Sequence, residues 1–320
     1  MTDDISLTRR QAILATGAAT LAAGAPGLVQ AAADLQGPLL PHTYRFKLGK
    51  FEVTSILDGT FQLDGPHPIF GENTTAEDVQ ALATANLLPP TRMEIPFTQT
   101  VVNTGEKIIL FDTGNAHGAR PNTGKLSARM TAAGIPPEAV DVVAITHFHP
   151  DHIGGMMVDG KPLYPNAEYR LPTAEFDFWS PADKAESRIG KLYQANVAPN
   201  VDKAQMINPG ESIVSGVEAV DSSGHTPGHT SYHIESEGKR LIVLGDVCNH
   251  YVVSMQRPDW HVKFDMDKEG AVAARKKMLG MIAADKIPFV GYHMPPPAVG
   301  FVETMGDGFR YVPASYQLNL

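Results

Sequence analysis

The sequence predicts an α/β (α+β) protein built as an αββα sandwich, two packed β-sheets with helices on the outer faces. Three observations carry this. Most apolar, alternating segments are separated by short turns, as antiparallel pairing allows, and not by the dozen or so residues of a parallel crossover. Helical patterns fall between groups of strands instead of after every strand, which disfavours a doubly wound parallel sheet. Two strand-rich halves flank a polar, more helical middle from Pro172 to Pro199.

Taken in order, Tyr44 to Leu57 alternates as a hairpin around Gly49-Lys50, with Tyr44, Phe46, Leu48, Phe51, Val53 and Ile56 facing inward, and Asp58-Gly59 marks a turn. Thr75 is the N-cap of a helix that carries Glu77 and Asp78 in its first turn and ends before Pro89-Pro90. Strands at Phe97 to Asn103 and Lys107 to Phe111 are joined by Thr104-Gly105-Glu106. A helix from about Asn122 to Ala133 stops at Gly134, and Val140 to Ile145 is a buried strand. Strands return at Ser212 to Val220, Ser231 to Ser236 and Arg240 to Leu244, followed by the longest helix at Asp267 to Lys286 and a final strand at Ile287 to Tyr292.

A composition of 43% hydrophobic and 19% charged residues is that of a globular protein, and a net charge of −9 without any basic run argues against nucleic acid as a partner. Cys248 is the single cysteine, which excludes an internal disulfide and a zinc site built from cysteines. At the N-terminus, Thr8-Arg9-Arg10-Gln11 precedes an uncharged Ala/Gly/Leu stretch that lasts until Asp34. This resembles a twin-arginine signal peptide. Residues 1–33 are therefore expected to direct export to the periplasm or beyond, and residues 34–320 to form a single domain. Gly17, Gly24, Pro26 and Gly27 dilute the apolar run, so no stable membrane insertion is expected after processing.

The chemistry concentrates at Thr146 to Gly155, THFHPDHIGG, directly after the apolar run Val142 to Ile145. A buried strand that ends in His147, His149, Asp151 and His152 delivers imidazoles and a carboxylate to one loop, and these are ligand types for a divalent metal, above all zinc. Gly154-Gly155 permits a tight return of the backbone.

The pattern HxHxDH resembles the signature of the metallo-β-lactamase superfamily, and the rest of the chain follows that family's order. His229 lies in GHTPGHTS at 224–231, Asp246 follows the strand LIVLG, His293 follows PFVGY, and Asp112-Thr113-Gly114 follows Phe111. The resemblance implies two divalent metal ions, zinc by expectation: one on His147, His149 and His229, the other on Asp151, His152 and His293. Asp246 and a hydroxide would lie between them, and Asp151 and Asp246 would be the catalytic carboxylates. It also implies that Asp112 orients a ligand imidazole. His225 is expected in a turn or orienting role, and His117, His233, His250 and His261 as ordinary histidines. Cys248 is expected to be a buried small side chain.

FEVTSILDGT at 51–60, VNTGEKIILFDTGNA at 102–116, EFDFW at 175–179 and GFRYVPASY at 308–316 resemble the methyl parathion hydrolase branch, whose relatives include lactonases and aryl esterases. By that resemblance Trp179 is a wall of the substrate pocket, and a homodimer stays open. The segment Ala116 to Arg120 lacks the aromatic residue of the parathion-hydrolysing pattern, which favours a lactone or aryl ester over a phosphotriester. The expectation is an exported dinuclear zinc hydrolase acting on small-molecule lactones or activated esters through a metal-bound hydroxide. An organophosphate triesterase is the alternative. A glyoxalase-type thioesterase, a β-lactamase and a non-catalytic metal-binding protein are more remote. Pocket shape is expected to depend on residues 60–96 and 172–205.

Overall fold

The structure, a computed structural model, describes residues 40–319; the expected signal segment at 1–33 lies outside them. The strands are β1 Thr43–Leu48, β2 Phe51–Asp64, β3 Arg92–Asn103, β4 Ile108–Phe111, β5 Val142–Ala144, β6 Met157–Val158, β7 Lys161–Pro162, β8 Glu168–Pro172 and β9 Ala204–Ile207 in the first half. The second half holds β10 Ser212–Val214, β11 Val217–Asp221, β12 Thr230–Ser236, β13 Lys239–Val243, β14 Phe289–Val290, β15 Val299–Met305 and β16 Gly308–Pro313. The α-helices are α1 Ala76–Ala85, α2 Leu126–Ala132, α3 Pro150–Ile153, α4 Thr173–Trp179, α5 Arg188–Leu192, α6 Val253–Gln256 and α7 Lys268–Asp285.

Two seven-stranded sheets result, in the orders β1-β2-β3-β4-β5-β8-β9 and β10-β11-β12-β13-β14-β15-β16, with β6-β7 a separate small ribbon. Both large sheets are mixed: β4-β5, β5-β8, β8-β9 and β13-β14 pair parallel, and the remaining neighbours antiparallel. Side-chain alternation assigns the layers. Ile109, Phe111, Val142 and Ala144 share one core with Val217, Ala219, Tyr232 and Ile234 of the second sheet. Their neighbours Leu110 and Val143 join Leu126 and Met130 of α2 in a separate core on the opposite face. Met278, Leu279 and Ile282 of α7 are packed with the second sheet. This is the predicted layering of two mixed sheets with helices outside. Among the described residues, no helix is long and apolar enough to cross a membrane.

Three expectations need correction, the first being the strand expected from Ser212 to Val220, which is the antiparallel pair β10-β11. Asp58-Gly59 is not a turn: β2 runs on to Asp64, with a register shift between Leu57 and Gly59 against β3. A side chain at Gly59 would meet the Asn122 carbonyl, and Asp58, fully buried, accepts from the backbone N–H of Asn115, Gly124 and Leu126. The Asp-Gly pair thus marks where a loop is clipped to the strand. Nor is the strand after the long helix the last one. It shrinks to Phe289–Val290, and the hairpin β15-β16 follows it.

Candidate metal centre

The strand β5 ends at Ala144, and the backbone then carries Thr146 to His149 into the N-terminus of α3, where Pro150 sits in the first turn. Gly155 permits the return: a side chain there would lie 2.0 Å from the Thr113 carbonyl. Asp112, just after β4, adopts φ 60 and accepts from Thr146 N and Thr146 Oγ1, both at 2.8 Å. The imidazole Nδ1–H of His152 donates to Asp112 Oδ2 at 2.8 Å, which leaves Nε2 of His152 pointing away from Asp112. Asp112 therefore orients the His152 imidazole.

Two groups of metal-ligand side chains meet here. His147, His149, His225 and Asp246 form one, and Asp151, His152, Asp246 and His293 the other; within each, one ligand atom per residue lies within 4.8 Å of every other. Nδ1 of His149 lies 2.9 Å from Nε2 of His147 and 2.9 Å from Nε2 of His225. In the second group, Nε2 of His152 and Oδ1 of Asp246 lie 3.3 Å apart, and both are buried without a hydrogen-bond partner. Buried polar atoms left unpaired are costly. Facing ring nitrogens and orphaned atoms aimed at a common point are what a divalent cation would satisfy, so the residues fit a pair of metals that share Asp246.

His229 is not in either group, and this corrects the sequence expectation. Its Nε2 accepts the Asp246 backbone N–H at 2.9 Å, and its Nδ1 faces Ser222 Oγ at 2.8 Å. Both nitrogens are thus engaged inside the protein. A side chain at Gly245, φ 60, would approach Nε2 of His229 to 2.6 Å, so this glycine lets the histidine support the Asp246 backbone. His225 takes the place expected of His229. Its Nδ1–H donates to Asp265 Oδ1 at 2.8 Å, which turns Nε2 toward the first group. Four residues apart in one motif, the two histidines are not distinguished by spacing; the deciding partner, Asp265, lies 40 residues further on.

Trp179 is also corrected. It does not line the cavity over the metal groups; it packs in the core under the first sheet, and its indole N–H donates to Glu175 Oε1 at 2.9 Å. Glu175, fully buried, was missed by sequence reasoning. It also accepts from Phe148 N and from Gly228 N, both at 3.0 Å, and so staples the His147–His149 loop to the His225–His229 loop. Cys248 is fully buried, as expected, and burial pushes its thiol up to about 12.

Electrostatics divide the two groups. Burial, then the neighbouring His225, holds His149 down at about 3, and burial with His152 and His149 nearby holds His147 well below its ordinary value. Against the burial penalty, Asp246, Asp112 and Asp151 hold His152 well above its ordinary value, and Asp246 raises His293. Burial opposes ionisation of Asp151, yet His152 and His293 hold its carboxyl at about 2. Tyr292 stacks on His152 at 3.9 Å between ring centroids, and its hydroxyl donates to the Asp151 carbonyl.

Above the groups is a cavity of about 400 Å³, a size that suits a small molecule. Its floor holds His149, Asp151, His225, Asp246 and His293. Phe61, Leu63, Ile95 and Phe97 of β2 and β3 wall it with Ile69, Phe70, Ile189 and Phe264, and Arg120, Arg188 and Asn249 supply polar groups. Both expected segments contribute, although the walls from 61–63 and 95 are strand and not loop.

Fold and centre together define a metal-dependent hydrolase. The chain belongs to the metallo-beta-lactamase superfamily, whose family model matches residues 98–281. It is 25% identical over 229 residues to an N-acyl homoserine lactonase of Bacillus cereus, covering 65% of this chain and 85% of that one. Among solved structures it resembles AidC, a dizinc quorum-quenching lactonase in complex with a product, with TM-score 0.80, 27% identity, and 86% and 98% of the two chains covered. It also resembles the hydrolase AbOPH of the beta lactamase superfamily, with TM-score 0.80, 25% identity, and 87% and 99% covered.

Proposed function

We propose that this chain is an exported dinuclear zinc hydrolase whose preferred reaction is the opening of lactones, with activated aryl esters next. The observation that carries the reading is the pair of ligand groups sharing Asp246 beneath a cavity with largely apolar walls. His147, His149 and His225 would hold one ion and Asp151, His152 and His293 the other, with Asp246 common to both. When bound, the ions supply Lewis acidity toward the ester carbonyl and lower the pKa of the attacking water.

Hydrolysis joins the water oxygen to the acyl carbon and breaks the acyl C–O bond. One water proton passes to the ring oxygen, and the hydroxy acid then ionises. Asp151, held at about 2, and Asp246, kept ionised by His293 and His152 against burial, would accept hydrogen bonds that orient the water. The apolar walls offer surface for an acyl or aryl substituent. The similarity to lactonases of Bacillus and to AidC supports the lactone. Phe61 and Phe97 favour a second arm, because they supply from β2 and β3 the aromatic surface that 116–120 lacks, and so keep an aryl ester or aryl phosphotriester in play.

The test is a pH-indicator assay of zinc-loaded protein on an acyl-homoserine lactone, an aryl lactone, an aryl ester and an aryl phosphotriester, each with and without chelator. Chelator-sensitive turnover led by a lactone supports the reading; turnover led by the phosphotriester reverses the ranking. Export is tested separately by N-terminal sequencing of protein recovered from the periplasm, where cleavage near Ala33 is expected.

A further inference from the structure

We propose that Arg120 is a specificity residue that selects substrates bearing a carboxylate on the arm remote from the scissile ester; this rests on the hydrolase reading above. Arg120 lines the cavity over the metal groups. Its guanidinium carbon lies 4.4 Å from the centre of the Phe61 ring and 5.8 Å from that of Phe97, and Nη1 donates to Asn115 Oδ1 at 3.2 Å. Its position is built. Asn115 is held by Asp58 through its backbone N–H and, at 3.0 Å, its side-chain amide. Asp58 also takes Gly124 N and Leu126 N, and Asn122 O accepts Thr60 N, so both ends of the loop that carries Arg120 are clipped to β2.

What the guanidinium lacks is an anion. Among the described residues no carboxylate oxygen lies within 4.0 Å of it, whereas buried Arg275 is paired with Asp265 at 2.9 Å. A guanidinium offers five N–H donors, and the bond to Asn115 uses one. Stacked on aromatic faces it keeps its charge and directs the remaining donors along its plane. Arg188 of α5 lines the same cavity and is likewise without a carboxylate within 4.0 Å. The two acidic side chains in the lining, Asp151 and Asp246, are committed to the histidine groups. A cavity with apolar walls and positioned positive charge that no carboxylate pairs discriminates for an anionic substituent, and the planar fork matches a carboxylate in two-point contact.

The test compares a γ-lactone whose side arm ends in a carboxylate with the same lactone capped as the methyl ester, on zinc-loaded wild type, R120K and R120M. Wild type is expected to prefer the carboxylate arm in kcat/KM by about tenfold or more. R120K should keep part of that ratio, and R120M should bring it close to one. Because the ratio is taken within each variant, general damage to the enzyme cancels. A wild-type preference for the capped arm, or an equal ratio in wild type and R120M, overturns the assignment. Should wild type turn over neither lactone, the lactone preference fails on its own. Titration calorimetry with the same intact lactones then decides the assignment: tighter binding of the carboxylate arm that R120M abolishes supports it, and equal binding rejects it.

Discussion

Asp265 joins His225 to Arg275: its Oδ1 accepts the His225 Nδ1–H at 2.8 Å, and its Oδ2 accepts Arg275 Nη2–H at 2.9 Å. Arg275 lies in α7, is fully buried, and also donates through Nε to the carbonyl of Val247, next to Asp246. One guanidinium thus fixes both the partner of His225 and the segment that carries Asp246. Replacing Asp265 by Asn should weaken zinc binding at the first group by about 10–100-fold, read by competition with a chelating dye. Replacing Arg275 by Met strands the Asp265 charge in the interior and should cost about 3–5 kcal/mol in denaturant unfolding. Unchanged zinc affinity in D265N would show that His225 does not act through this carboxylate.

The distinction between His225 and His229 is directly measurable. His225→Ala should lower the bound metal from two ions toward one with a modest change in folding. His229→Ala removes the acceptor for the Asp246 N–H, and leaving that buried donor unpaired should cost about 1–3 kcal/mol. Metal analysis together with thermal unfolding separates the two. Loss of a whole metal in H229A without loss of stability would return His229 to the ligand set.

Acidification should empty the groups in sequence. A folded pKa above the ordinary value means that His152 and His293 hold protons at pH values below it, and an incoming cation must displace them. His147 and His149 are already neutral through this range, because burial holds them low. Affinity at the second group should therefore fall about tenfold per pH unit for each proton displaced, while the first changes less. Metal analysis after dialysis at about pH 7 and about pH 5 should show a step from two ions toward one. Simultaneous release of both ions would contradict this ordering.

Cys248 should be inert. With its side chain fully buried and its thiol pushed up to about 12, almost no thiolate exists at neutral pH. A thiol reagent should leave the folded, zinc-loaded protein unlabelled at about pH 8 and label it stoichiometrically in denaturant. Rapid labelling of the native state would mean that the segment after Asp246 opens to solvent.

Much of the candidate metal centre was readable because four of its residues are local. His147, His149, Asp151 and His152 follow one buried strand within six positions, and backbone geometry alone brings them to one loop. The αββα layering was readable for a similar reason: period-two alternation and short turns decide which faces are buried. The hairpin β15-β16 was hidden behind Pro295-Pro296-Pro297, and exposed residues at Glu303 to Met305 blur its alternation.

By itself the sequence determined the layered fold and the local cluster His147, His149, Asp151 and His152, which follow from contiguous patterns, while the resemblance to the superfamily pointed to Asp112, Asp246 and His293, which the structure brings to the same place. Only the tertiary structure chose His225 over His229, because that choice is made by hydrogen bonds to Asp265 and to the Asp246 backbone, which meet the loop across the fold. The tertiary structure also moved Trp179 from the pocket to the core and replaced it with Phe61, Phe97 and Arg120. Which face of a strand or helix meets the cavity depends on register between distant segments, here the shift between Leu57 and Gly59 and the loop clipped to Asp58, and no local pattern encodes that.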